Sequence, residues 1–156
     1  QALSFRARRD NSSKVVKGWL SAYAISMEGP KVALVAQFYL DMDTTGGTLT
    51  HKSATVLDGY RSYYLEPELP WTACFQNIWF DLCELERRRM EDRLREPGMT
   101  VDRARAIHEE HSIRMTATTQ QYLRATRYGA DQEALLPWNE LVRGGLGIDN
   151  LTLFGF

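Results

Sequence analysis

The stretch AIHEEHSIRM, residues 106–115, carries two of the chain's three histidines, His108 and His111, with Glu109 and Glu110 between them. Imidazoles and carboxylates this close are the materials of a metal centre or a proton relay. Their angular positions argue against both. On an ideal helix His108 and His111 fall roughly 60° apart, in the sector that also holds Ala104, Met115, Tyr122 and Thr126. Glu109 and Glu110 point elsewhere, so they cannot join the histidines on that helix. The spacing also lacks the i,i+4 histidine pair of the H-E-x-x-H metalloproteases. Zinc needs three or four protein ligands, and the remaining donors are His51, Cys74, Cys83 and Asp41 or Asp43. The expectation is that both histidines are structural and that no metal or other cofactor is bound.

A second cluster, GYRSYYLEPELPW, gathers Tyr60, Tyr63, Tyr64 and Trp71. Tyrosine and tryptophan bury area while keeping a polar handle, so they are favoured at contacts. Two readings stand: a pocket or interface where strands give way to helices, or the sheet–helix core itself. The arginine-rich ERRRMEDRLR resembles a nucleic-acid patch until its acids are counted. Residues 81–114 hold eight arginines against nine Asp and Glu, and phosphate binding needs a net basic surface. The amino-terminal arm differs. Arg6, Arg8, Arg9, Lys14 and Lys17 face only Asp10, which suits contact with nucleic acid or an acidic partner. The glycines of RGGLGID follow a helix and precede a predicted strand, the reverse of a dinucleotide loop, so they are a helix stop. No nucleophile elbow, C-x-x-C pair or Walker loop is present.

The elements that must position these residues change near residue 70. KVALVAQFYLDMD (31–43) alternates Val32, Leu34, Ala36, Phe38, Leu40 and Met42 against polar neighbours, the period of a half-buried antiparallel strand. Residues 15–27 before it, for which a helix is the alternative, and 43–57 and 60–65 after it, are marked off as strands by Glu28-Gly29-Pro30, Gly46-Gly47 and Asp58-Gly59. Residues 66–71 are a proline-bounded linker. Phe75, Ile78, Trp79, Leu82 and Leu85 then form a helical stripe, and this helix runs from Thr72 to about Glu96. Pro97-Gly98 breaks it, Thr100 caps a second helix reaching about Gly129, and the two form an antiparallel hairpin. LPWNELVRGG predicts a short helix ended by Gly144, and GIDNLTLFGF a closing strand. The fold class is therefore α+β, with a flexible basic arm over 1–13 and one domain over 14–156.

With 44% hydrophobic and 25% charged residues and a net charge of −1, the composition is that of a globular domain. No apolar run reaches the roughly 20 residues that span a bilayer, so no membrane association is expected. QALSFRARRDNSSK shows no apolar core of a signal peptide. Cys74 and Cys83 lie on opposite faces of one helix and read as free thiols, which places the chain in the cytoplasm. Sequons occur at Asn11 and Asn150, triplets that are common by chance.

The function that fits is a non-catalytic binding or assembly subunit forming a homo-oligomer. Met90 and Leu94, alone on a charged stretch of helix, are expected at the self-association surface, with Phe154 and Phe156 as a second sticky edge. A sheet followed by a helix pair is used by some homodimeric and shell-forming proteins, small viral coat proteins among them, an analogy of fold alone. The alternative is a small-molecule enzyme or sensor with a pocket between sheet and helices, using His108, His111 and the nearby tyrosines.

Overall fold

The alternating first half of the chain becomes an antiparallel sheet. The computed structural model describes residues 2–9, 15–65 and 69–156, with side chains for 18–44, 46–65 and 69–156. Strands β1 (Ala2–Arg9), β2 (Val15–Glu28), β3 (Val32–Thr45) and β4 (Thr48–Leu57) lie side by side in chain order. A two-residue strand, β5 (Tyr63–Tyr64), pairs with the start of β3. Gly46 and Gly47 close the β3–β4 hairpin at φ 60° and 82°, the left-handed pair that a two-residue turn between twisted strands requires.

Register follows the pleat. Ser21 is opposite Leu40, Tyr23 opposite Phe38, Ile25 opposite Ala36, and Trp19 opposite Met42. On β4, Ser53 is opposite Leu40 and His51 opposite Met42. These residues share the face on which the helices lie, and there Ile25, Phe38, Leu40 and Met42 are buried. The other face carries Ala22, Tyr39 and Ala54 in one row and Leu20, Asp41 and Lys52 in the next, all half-exposed or exposed.

Helices α1 (Pro70–Leu94) and α2 (Val101–Ala125) form the expected hairpin. Proline, with no N–H to lose, opens α1 two residues before the expected start. The Thr100 hydroxyl caps α2 by accepting from the Arg103 N–H at 3.1 Å. Trp79 Nε1 donates to Thr119 Oγ1 at 3.0 Å, and Tyr122 Oη donates to the Phe75 carbonyl at 2.7 Å. Buried donors thus find partners across the hairpin and fix its register. α2 stops at Ala125, short of Gly129, because Arg127, Tyr128 and Gly129 all adopt positive φ. Helix α3 (Leu135–Leu146) continues through Gly144 and Gly145 and is stopped at Gly147, in the left-handed conformation at φ 72°. No helix among the described residues is long and apolar enough to cross a membrane.

Three further expectations change. Residues 150–153 form a helical turn, α4 (Asn150–Leu153), where a strand was expected. The Asp149 carboxylate accepts from Thr152 N, and Asn139 Oδ1 of α3 accepts from Asn150 N at 2.9 Å, so capping that includes a side chain from another helix outweighs the short apolar alternation. Met90 and Leu94 are 0% and 1% exposed and belong to the domain's own core, so they are not a self-association surface. Their stripe is too narrow to dock on the sheet alone, but α2 packs against α1, and its Ala104 and Ile107 belong to the same core cluster as Met90 and Leu94. Residues 2–9 of the expected arm form strand β1 by backbone pairing with β2. The side chains of Arg6, Arg8 and Arg9, and residues 1 and 10–13 of the arm, lie outside what is described.

Candidate functional site

Both histidines of the HEEH stretch lie between sheet and helices, and each sits in its own polar seam. His108 is fully buried on α2. Its Nε2 is 2.8 Å from the Phe38 carbonyl and its Nδ1 2.9 Å from Ser21 Oγ. A carbonyl only accepts, so Nε2 carries the proton and Nδ1 accepts from the serine. Tyr23 stands edge-on to the ring at 4.9 Å. Burial lowers the imidazole to about 4, against a smaller raising effect of the Phe38 carbonyl; His111 lowers it further. His108 is a neutral cross-brace that pins α2 to β2 and β3.

His111, 2% exposed, faces a different partner. Its Nδ1 is 2.6 Å from Glu86 Oε1 and its Nε2 is 3.1 Å from Arg93 Nη1. A guanidinium only donates, so the proton sits on Nδ1 and points at Glu86. Glu86 is itself buried, with Arg89 and Arg114 each 3.4 Å away. Arg93 also reaches Glu110 at 2.8 Å. A carboxylate orienting an imidazole is the base half of a hydrolytic triad. Here the nitrogen that would accept a nucleophile's proton is occupied by Arg93. The arrangement joins the two helices and does not activate a nucleophile.

A third polar group lies where α1 crosses β4. Ser53 Oγ donates to Glu91 Oε1 at 2.5 Å and accepts from Arg87 Nη1 at 2.9 Å. Arg87 forks onto Glu84 at 2.6 and 2.8 Å, and His51 Nδ1 lies 3.1 Å from Glu91 Oε2. Serine, histidine and glutamate meet, but the serine proton goes to the carboxylate and not to the imidazole. This is again a clamp between layers. Among the described residues no three His, Cys, Asp or Glu side chains come together to hold a metal ion. Burial pushes the Cys74 thiol up to about 11 and Cys83 further still, so neither is a thiolate nucleophile near neutral pH.

The aromatic cluster does not converge. Tyr60 is fully exposed and Tyr63 is 56% exposed. Tyr64 lines a surface cleft of about 320 Å³ with Phe75 and Tyr128. Trp71 lines a different one, donating through Nε1 to the Gly129 carbonyl at 2.9 Å and packing edge-on against Phe156. Residues 66–68 of the linker lie outside the described ones. Phe154 is partly buried against the domain's core, whereas Phe156 stays 55% exposed. The arginine-rich helix lines a cleft of about 560 Å³, but its cations are spoken for. Arg87 and Arg88 pair with Glu84, Arg89 with Glu86, and Arg95 with Asp92. Asn150 of the second sequon is 2% exposed and donates to Asp81 at 2.7 Å, so the folded chain does not present it.

Sequence reasoning placed the histidines in the core but missed their partners Ser21, Glu86 and Arg93. The nearest signal was Glu86 on α1's apolar side, hidden by the surrounding run of charges. No family model matches the chain, and neither a curated protein nor a solved structure matches it significantly.

Proposed function

We propose that this protein is a non-catalytic binding or assembly subunit that works through its sheet layer. The observation that carries this reading is the second face of the sheet, on which no helix packs among the described residues and whose only buried side chains there are those of Ala33 and Val35. α1 and α2 pack on one face only, and the other presents Leu20, Ala22, Ala24, Tyr39, Ala54 and Val56 at partial or full exposure. Tyr39 is flanked on both neighbouring strands by alanines, which makes a flat platform with an aromatic centre. Such a surface suits close packing against protein. Its described charges are Glu28, Asp41, Asp43 and Lys52.

The polar seams support the same reading, since their imidazoles are used in bracing. None of the five surface clefts outlined among the described residues has a histidine in its wall. The test is the native mass by sedimentation over a wide concentration range, paired with Tyr39→Glu. A homo-oligomer, or a stable complex with another protein, weakened by Tyr39→Glu supports the proposal. A protein that stays monomeric and uncomplexed throughout overturns it.

A further inference from the structure

We infer that β4 pairs with β4 of a second copy, antiparallel about a two-fold axis through Ser53, joining two sheets into one. The inference rests on the assembly reading above: edge pairing extends the Tyr39 face across two copies as one continuous platform. β4 hydrogen-bonds β3 in one unbroken register from Leu57 opposite Ala36 to Thr48 opposite Thr45. Among the described residues no strand pairs with its other edge. Alternate residues of an edge strand direct both N–H and C=O outward, and natural edges are usually blunted by proline, bulges or charge. TLTHKSATVL has no proline or glycine, no bulge, and one fully charged side chain, Lys52.

A further observation lies on the same edge. At the Leu57 end, a cleft of about 210 Å³ is walled by Leu34, Leu57, Gln76 and Phe80. Leu57 is 47% exposed there.

Symmetry selects the register. A two-fold axis normal to the sheet keeps each residue on its own face, so directly opposed residues must share a face. Two registers overlap the strand almost completely. One sets Lys52 against Lys52 of the other copy, a like-charge pair that is destabilising. The other centres on Ser53. It sets Lys52 against Ala54, His51 against Thr55, and Leu49 against Leu57. Lys52 keeps Asp41 opposite it on β3. Exposed Leu57 gains an apolar neighbour in the facing Leu49.

The test mixes Lys52→Cys chains with Ala54→Cys chains and oxidises them with oxidised glutathione, alongside the native mass of the unaltered protein. Both positions are exposed, and native Cys74 and Cys83 are buried, so they do not compete. Opposed Cα atoms in a strand pair fall within disulfide range, so the mixed dimer should exceed either homodimer by about tenfold. An excess of either homodimer overturns the register and with it the proposal. A native oligomer without any of these cross-links overturns the β4 edge but leaves the assembly reading standing. A protein that stays monomeric and uncomplexed throughout overturns both.

Discussion

The pH dependence of stability should report His108 directly. In the unfolded chain its imidazole titrates near the ordinary value of about 6.5, whereas in the fold burial holds it at about 4. Between these values the unfolded state binds a proton that the folded state refuses. Stability therefore rises with pH across this window: the contribution is complete above about 6.5 and is lost as pH falls toward 4. A shift of this size corresponds to about 3 kcal/mol, an order-of-magnitude figure. The perturbation is His108→Gln, which cannot titrate. At pH 7 the variant should be less stable by about 1–3 kcal/mol, because Ser21 and the Phe38 carbonyl lose well-placed partners. The assay is urea unfolding of both proteins at pH 4, 5, 6 and 7. Other titrating groups act alike in the two proteins, so they cancel in the difference. The destabilisation caused by the substitution should shrink as pH falls and vanish or reverse near pH 4. A difference that stays constant from pH 7 to pH 4 would refute the reasoning, since it would mean that the imidazole titrates alike in both states.

Glu86→Ala should destabilise the domain by about 1–3 kcal/mol, because it leaves the buried Nδ1–H of His111 without its acceptor. Glu86→Gln, which keeps an acceptor for the Nδ1 proton, should cost less, and equal losses in chemical unfolding would speak against that hydrogen bond. Met90→Ala should cost about 2–5 kcal/mol as a core cavity, visible as a lower melting temperature, whereas unchanged stability with an altered native mass would return Met90 to the surface. Gly129→Ala should cost about 2 kcal/mol or more, since φ is 86° and a Cβ would come within 2.9 Å of the Phe75 ring. Wild-type stability in that variant would rule out the turn as described.

The sequence by itself determined the layers. Period-two alternation through Val32–Met42, the Gly46-Gly47 turn and the stripe from Phe75 to Leu85 are local signals, because side-chain direction repeats with the backbone of each element. Thr100 and Pro97-Gly98 were legible for the same reason, as caps and breaks act within a few residues. The histidines' core position followed from one helical wheel. Tertiary structure decided their partners. Ser21 lies 87 residues from His108 and Glu86 lies 25 from His111, and no periodicity links positions that only folding brings together. It also decided the fate of Met90 and Leu94. On one helix they form a stripe too thin to bury, and their burial depends on a second helix returning beside them. The closing segment was decided by Asn139, a residue of another helix whose side chain caps the Asn150 backbone. Local pattern favoured a strand there, and a hydrogen bond from outside the segment outweighed it.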